Sequence, residues 1–284
     1  MKVKQMRFVI ALVASLLSLG LQAAERIISA DAGVTAVLRA LQLEKELVGI
    51  DVTSAQLAGT PLPVVGYHRQ LATEGLLALK PSLLVGGEHM GPPATLTALE
   101  AAGVKVLRLS QAQDGAGLLA GIRQLAAEVA TPEQANPVLE QVQQKLTTLQ
   151  KQALPQHSRA LFLLSAGSRG LRAAGVGTGG DSLIRLMGAS NVMSYNSYQP
   201  ISAEAIMAAN PDIIFLAADG SKNAMADFLR DYPTLSALKA TQEQKIVEVR
   251  SETLVAGLSV LTVDEALRLQ ALLQQQTAKT EQKK

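Results

Sequence analysis

Short apolar runs alternate with amphipathic segments along this chain of 284 residues, and one long polar segment interrupts the alternation. Residues 27–28 and 82–85 have the length and composition of strands, whereas Gly115–Val129 has the period of an amphipathic helix. Strands alternating with helices predict βα units that build parallel sheets. The interrupting segment, 132–153, is Gln-rich and has few apolar positions for its length. We therefore interpret it as a spacer helix between two lobes more than as a core element.

The sequence thus predicts an α/β protein with two Rossmann-like lobes, each a central, mostly parallel sheet with flanking helices, joined by one long backbone helix. The predicted boundaries are 25–130 for the N-terminal lobe, 131–154 for the interlobe helix and 155–284 for the C-terminal lobe. Thr131 followed by Pro132 is a typical start for the joining helix. The polar end of the chain, 277–284, is expected to fray.

Residues 1–24 predict a secretory signal peptide. Basic residues come first, 8–21 are almost unbroken apolar and small residues, and Gln-Ala-Ala at 22–24 gives a cleavage zone. A retained membrane anchor is the alternative, but the apolar run is shorter than the roughly 20 residues that span a bilayer. We expect cleavage after Ala23 or Ala24, which leaves a mature chain of about 260 residues.

Charge and cysteine content exclude several classes of partner and of functional site. The chain has 26 Lys and Arg against 24 Asp and Glu, and three of the bases lie in the predicted signal peptide. The mature protein is then close to neutral, so nothing favours a nucleic-acid partner. Cysteine is absent, which excludes disulfides, thiolate metal sites, a cysteine nucleophile and a lipid anchor on cysteine. We expect a monomer free in a Gram-negative periplasm.

One short pattern occurs in both predicted lobes. Residues 74–81 and 204–211 each begin with Glu, end with Pro and precede a strand, and Tyr67 and Tyr198 come before them at similar intervals. This repetition indicates two similar lobes that face each other.

The residues 65–74, 91–94, 173–181 and 198–204 carry a resemblance to a known family. With them the chain resembles the helical-backbone periplasmic binding proteins of ABC importers, which carry haem, cobalamin or ferric siderophores. The most specific stretch is 65–74, because its Gly-Tyr-x-Arg segment supplies the axial tyrosine in haem-binding members. The resemblance implies capture of ferric haem b between the lobes and delivery to an ABC permease and its ATPase in the inner membrane.

Tyr67 is accordingly the predicted ligand of the haem iron. A phenolate is a hard anionic oxygen suited to ferric iron. Its proton must leave, although the free pKa is about 10, and a nearby guanidinium favours that loss. In an extended loop Arg69 would lie on the same side as Tyr67 and could reach the phenolate or a propionate. From the spacing alone, a tyrosine packed on the lobe surface is the simpler interpretation, and the resemblance reverses that choice.

The histidines are weaker candidates. His68 is a rival ligand, since imidazole is the commonest haem ligand elsewhere, but alternation in an extended loop would point it away from Tyr67. His89 follows a strand end and could face the cleft or remain solvated. His157 is expected to be exposed.

The second lobe offers further contacts and one departure from the family. Tyr195 and Tyr198 could pack on the porphyrin, and Arg169 and Arg172 could reach propionates. Some members stack two haems with a histidine of this lobe as the second ligand, but the matching strand end, 164–167, has no histidine. We therefore predict one haem.

Two more motifs have competing interpretations. The glycines of 175–180 match G-x-G-x-x-G, but no following strand with an acidic residue completes a dinucleotide site, so we interpret them as a turn lining the cleft. Glu74 and Glu204 suit the first turn of a helix in any protein. In the resembled family, equivalent glutamates dock onto arginines of the permease, and the pair here favours that role.

No catalytic constellation is evident, so a binding protein is predicted and not an enzyme. The alternatives are a siderophore or cobalamin carrier of the same fold, a zinc or manganese carrier, and an exported enzyme or haem chaperone without a transporter. Three histidines and no His-rich loop argue against zinc, and the absence of tryptophan fits poorly with an aromatic-lined siderophore cleft.

Overall fold

The computed structural model describes residues 25–57, 59, 61–165, 170–218, 224–255 and 257–281. The predicted signal peptide, 1–24, lies outside the described residues. Within the described ranges, no helix has the length and apolar character needed to cross a membrane.

The N-terminal lobe is built on a fully parallel sheet in the order β2-β1-β3-β4. Three of its strands are apolar and almost wholly buried, as parallel strands usually are, whereas the edge strand at 105–109 exposes Lys105 and Arg108. The strands are β1 (Ile27–Ala30), β2 (Leu47–Ile50), β3 (Leu83–Gly87) and β4 (Lys105–Leu109), and the helices are α1 (Ala32–Ala40), α2 (Thr73–Ala78), α3 (Pro93–Ala101) and α4 (Gly115–Val129).

A single helix, α5 (Pro132–Lys151), leads to the C-terminal lobe. That lobe has a sheet in the order β10-β9-β5-β6-β8, with β7 beside the start of β5. Strands β5, β9 and β10 are parallel, whereas β6 is antiparallel to both of its neighbours. The strands are β5 (Arg159–Ser165), β6 (Leu171–Ala174), β7 (Ser190–Asn191), β8 (Tyr198–Pro200), β9 (Ile213–Ala218) and β10 (Ile246–Val249), and the helices are α6 (Gly179–Leu186), α7 (Ala203–Ala209), α8 (Ala224–Asp231), α9 (Lys239–Gln242) and α10 (Val260–Glu281).

The joining helix α5 belongs to the core more than its polar composition predicts. It starts as expected, with the side chain of Gln134 accepting the backbone N–H of Thr131 at 3.0 Å. One narrow stripe is buried, at helical spacing: Ala135, Val138, Val142, Leu146 and Leu149. These residues pack in one apolar cluster with Leu38 of the first lobe and Phe162 of the second. The interpretation of α5 as a mere spacer is therefore wrong, because five apolar positions on one face are enough to bury it.

Three local predictions also need correction. The short apolar run 64–66, whose composition predicts a strand, does not form one, and only Val64 bridges to Ile50. Strands β7 and β8 lie in the Tyr- and Asn-rich stretch after Met187, whose composition predicts a loop. The final helix continues to Glu281 in place of a tail that frays from 277. It also contacts the joining helix α5, where the side-chain amide of Gln270 donates to the backbone carbonyl of Leu149 at 3.1 Å.

The repeated pattern corresponds to a repeated structure. Glu74 and Glu204 both lie exposed in the first turn of a short helix, α2 and α7. Each helix is followed by a residue in the left-handed region, Lys80 at φ 48° and Asn210 at φ 39°, and then by a proline that leads into a strand. Both lobes thus present the same helix, turn and strand.

Candidate functional site

A cavity of about 610 Å³ lies between the lobes. Its size is within the roughly 300–1,000 Å³ of sites for small molecules and cofactors. Apolar side chains supply most of its walls, with α1 and α4 on one side and the second lobe on the other: Val34, Val37, Leu118, Ile122, Leu125, Phe162, Leu164, Leu254, Val255 and Leu258. The polar groups of the first lobe include His68, Arg69, Glu88 and His89. Such a site suits a large, mainly apolar ligand with a few polar groups.

The Tyr67–Gln70 segment at this cavity is a tight turn. The N–H of Gln70 donates to the carbonyl of Tyr67 at 2.7 Å, and Gly66 before it has φ 101°, which only glycine adopts easily. The N–H of Gly91 donates to the carbonyl of His68, and the N–H of Leu71 donates to the carbonyl of Gly91, both at 2.9 Å. The turn is therefore fixed to the loop that follows β3.

Tyr67 itself is 41% exposed, and it is the one tyrosine or phenylalanine in the described part of the chain that is exposed. Within the described part of the chain its hydroxyl has no hydrogen-bond partner, and it does not belong to the cavity wall as its neighbours do. Arg69 does line the cavity, and among described residues its guanidinium has neither an ion pair nor a hydrogen bond. The unengaged cation at the cavity, and the unengaged phenol two residues before it in the chain, are free to bind a ligand.

The extended-loop geometry expected here is wrong, and the correction concerns His68. Its ring centroid lies 4.2 Å from that of Tyr67 with the planes tilted by 48°, so the two rings touch instead of pointing apart. His68 Nδ1 lies 3.2 Å from Oδ2 of Asp51, which is fully buried. A turn replaces the period-2 alternation and brings consecutive side chains together.

Several hydrogen bonds fix the side chain of Asp51. It accepts hydrogen bonds from the hydroxyls of Ser54 and Thr53 at 2.6 Å each and from the N–H of Ser54 at 3.1 Å. Burial alone would raise the pKa of Asp51, but the hydrogen bonds from His68, Ser54 and Thr53 outweigh burial and hold the pKa below its ordinary value. Asp51 therefore remains a carboxylate.

Asp31 shows the opposite shift at the end of the neighbouring strand. It lines the cavity and caps α1, its Oδ1 accepting the N–H of Val34 at 3.0 Å. Burial raises the pKa of Asp31 to about 6 against the lowering effect of that hydrogen bond, and the carboxylate of Asp51 adds to the rise. The first lobe thus places a readily protonated carboxyl, Asp31, at the carboxyl end of β1 and an ionised one, Asp51, at the carboxyl end of β2.

The glycine-rich segment forms the facing wall, as predicted. Gly177, Thr178 and Gly179 line the cavity in the turn between β6 and α6. Gly180 cannot carry a side chain, because a Cβ there would lie 2.6 Å from the ring of Phe162. Its N–H donates to the hydroxyl of Tyr198 at 3.1 Å. The glycines therefore serve close packing and the shape of the cavity.

The family follows from comparison with known proteins. Residues 27–253 match the family described as periplasmic binding protein. The chain belongs to this family. The periplasmic haem-binding protein HutB of Vibrio cholerae is 37% identical, with a TM-score of 0.78 over 88% of this chain and 99% of that one. A periplasmic haem-binding protein of Pseudomonas aeruginosa is 33% identical, with a TM-score of 0.74 over 87% and 92%. A vitamin B12-binding protein of Yersinia pseudotuberculosis is 27% identical over 76% of this chain and 78% of its own length.

The matches bear out the predicted family and the two-lobed α/β fold, and they bear out the predicted resemblance to haem-binding members of the periplasmic binding proteins. Periplasmic binding proteins bind solutes and are not enzymes. Between the lobes, this member brings together Arg69, His68, His89 and Tyr198 of the predicted contacts. His89 is half exposed and faces Glu88 at 3.6 Å.

Other predicted contacts lie elsewhere. Tyr195 is not part of the cavity wall, and its ring packs against Gly175. Arg172 is exposed on β6 and donates to the carbonyl of Tyr198. Arg169 lies outside the described residues. His157 is exposed, as expected.

The sequence reasoning missed both carboxyls of the first lobe. Asp31 and Asp51 directly follow β1 and β2, and the carboxyl ends of parallel strands are where α/β proteins place ligands. Their position just after two short apolar runs was the sequence signal that could have identified them as site residues. The helical stretch Ser251–Leu254 and the start of α10 were missed as cavity walls, because their part depends on how the second lobe folds back.

The raised pKa of Asp31 predicts a pH-dependent stability. A carboxyl whose pKa is raised by folding binds its proton more tightly in the native state, so stability falls as pH rises from about 4 to about 6. Asn also caps helices, so Asp31→Asn should keep α1 and raise the unfolding free energy at pH 7 by about 1–3 kcal/mol, with little gain at pH 4. Urea unfolding at both pH values checks this. Asp114→Asn, the same change at the exposed cap of α4, is the control, and an equal gain at both pH values would contradict the prediction.

Proposed function

We propose that this protein binds one ferric haem b between its lobes through Tyr67 and delivers it to an ABC permease and its ATPase. The observation that carries the proposal is the 37% identity to a haem-binding protein matched over 99% of its length. The cavity of about 610 Å³ with mainly apolar walls supports it, since a porphyrin is a large apolar ring with charged groups at one edge.

The chemistry of the Tyr67 turn supports iron ligation. The phenol is exposed and its hydroxyl has no protein partner among the described residues, so it can approach an iron without breaking an existing bond. A phenolate is a known axial ligand of haem iron, and the ferric charge favours loss of the phenol proton. The guanidinium of Arg69, which has no partner among the described residues and lines the cavity, would supply a second positive charge for the phenolate or a partner for a propionate.

The remaining contacts follow from the cavity walls. The apolar residues of α1, α4 and the second lobe would cover the porphyrin faces and contribute through burial, at about 25 cal/mol per Å² of apolar surface. His89 and Tyr198 would touch its edge, whereas Tyr195 and Arg172 have places outside the cavity wall. A single haem remains our proposal, since the strand end at 164–167 has no histidine.

Export and delivery belong to the same proposal. The signal peptide of residues 1–24 would direct the chain to the periplasm, where members of the family operate. Glu74 and Glu204 lie exposed on matching helices of the two lobes and would dock onto basic residues of the permease. A monomer suffices for this, because each lobe supplies one contact. A haem chaperone without a transporter would need the cavity but not the paired glutamates.

Cobalamin is the second candidate ligand, because vitamin B12-binding proteins match 76% of the chain at 27% identity. The two ligands make different demands on Tyr67. Ferric haem gains an anionic axial oxygen, whereas a cobalamin already carries its own axial groups and would leave the phenol without a role.

Titration of the purified mature protein with hemin and, separately, with cyanocobalamin tests the proposal. We expect one equivalent of hemin to bind with the visible spectrum of a high-spin ferric tyrosinate. We expect cyanocobalamin to give no saturable heat at micromolar protein. Saturable binding of cyanocobalamin together with a free-hemin spectrum would overturn the haem assignment.

A further inference from the structure

We infer that His68 is not an iron ligand but a positioning residue, held by Asp51, that fixes the ring of Tyr67 beside the cavity that His68 lines. This inference rests on the proposed function, because it assigns a role toward the tyrosine that we propose as the ligand. Asp51, His68 and Tyr67 are called the Tyr67 clamp below.

The first step is the immobility of Asp51. Its side chain is fully buried and accepts three hydrogen bonds from Thr53 and Ser54. Ser54 shares a further hydrogen bond of 2.8 Å with Thr35 of α1, which shares another of 2.8 Å with Ser29 of β1. All of these residues have no exposed surface, apart from Thr53. A satisfied buried polar network of this kind is rigid.

The second step is the orientation of His68. With Nδ1 at 3.2 Å from the Asp51 carboxylate, the imidazole carries its proton on Nδ1 and donates it to Oδ2. Its side chain is only 13% exposed, so the ring has little room to turn. The hydrogen bond to Asp51 and the low exposure of the side chain thus fix the plane of the imidazole ring.

The third step is the contact between the rings. The centroids of His68 and Tyr67 are 4.2 Å apart, although Tyr67 is otherwise exposed and its hydroxyl has no partner in the described ranges. The imidazole therefore supports one side of the phenol ring. Outer residues that orient a metal ligand typically contribute 10–100-fold to metal affinity. Among the described residues, the other histidine of the cavity has no comparable support, because His89 is half exposed and its one described side-chain contact is with Glu88 at 3.6 Å.

A double-mutant cycle of His68→Ala with Tyr67→Phe tests the clamp. The measured quantity is the rate of hemin transfer from the mature protein to excess apomyoglobin. In the protein with Tyr67, His68→Ala should speed transfer about tenfold and shift the tyrosinate-to-iron band in the visible spectrum. In the Tyr67→Phe background the same change should alter the rate by no more than about twofold, because no iron ligand is left to position.

Two variants make the result specific. His68→Phe keeps a ring against Tyr67 but cannot donate to Asp51, so its transfer rate should lie between those of the wild type and His68→Ala. His89→Ala is the matched control at the same cavity, and it should give equal effects in both backgrounds. Thermal unfolding of each apo variant identifies any that fails to fold, and His68→Phe keeps the test available if His68→Ala does not.

Three outcomes would overturn the clamp: His68→Ala transferring hemin at the wild-type rate, equal effects of His68→Ala with and without Tyr67, or a wild-type rate for His68→Phe. Equal effects would indicate direct contact between His68 and haem. Failure of the proposed function is distinguishable, because Tyr67→Phe alone would then leave both the spectrum and the transfer rate unchanged.

Discussion

Replacement of Tyr67 by Phe is expected to abolish the ferric tyrosinate spectrum and to weaken hemin binding by about 100-fold, the upper end of what loss of an outer partner of a metal ligand costs. Phe keeps the ring that rests against His68 and removes only the hydroxyl, which has no partner within the described residues. The fold should therefore be unaffected, and thermal unfolding of the apo protein should match the wild type. Hemin titration followed by visible absorbance measures both the spectrum and the affinity.

The control is Tyr232→Phe, the same change at a tyrosine that packs on Phe228 in the second lobe, away from the cavity. It should leave the spectrum and the affinity at wild-type values. An unchanged tyrosinate spectrum in Tyr67→Phe would show that another residue binds the iron, and the loss of that spectrum in Tyr232→Phe would mean that the band does not report on the cavity.

Regular elements could be predicted from the sequence wherever hydrophobic periodicity decided them. Gly115–Val129 was predicted as an amphipathic helix with the bounds that the structure has. Strand β6, with the sequence Leu-Arg-Ala-Ala, was missed because its residues favour strands weakly and it forms only by antiparallel pairing with β5 and β8. Such pairing depends on tertiary context that no local pattern carries.

The candidate site was predictable only in part. Tyr67 and Arg69 came from the Gly-Tyr-x-Arg resemblance, which names residues without giving their geometry. The contact of His68 with Asp51 joins residues 17 positions apart in the chain. It depends on the bridge between Ile50 and Val64, which places the two loops side by side. The turn Tyr67–Gln70, which the chain enters through Gly66, then brings the rings of Tyr67 and His68 into contact. A pattern of alternating residues could not reveal that contact.

The paired glutamates raise the question of how far recognition by a permease depends on both lobes. Glu74 and Glu204 are exposed on equivalent helices, each followed by a left-handed residue and a proline. For Glu204, hydrogen bonds from its own N–H and then from Ser202 hold the pKa below its ordinary value, so it is a carboxylate at neutral pH. Charges at the rim of an interface set orientation and encounter rate more than affinity for a buried ligand.

Reversal of both charges, Glu74→Lys with Glu204→Lys, should therefore abolish haem uptake while hemin affinity stays at the wild-type value. Like charges placed opposite each other cost several kcal/mol, so uptake by cells that depend on haem iron should fall by about 100-fold or more. Each single reversal should fall between the wild type and the double variant, because one lobe can still dock. The control is Glu100→Lys with Glu140→Lys, which makes the same charge change at exposed positions on α3 and α5. Wild-type uptake in the Glu74 and Glu204 double variant would rule out docking through this pair, and equal loss in the control would indicate a general effect of net charge.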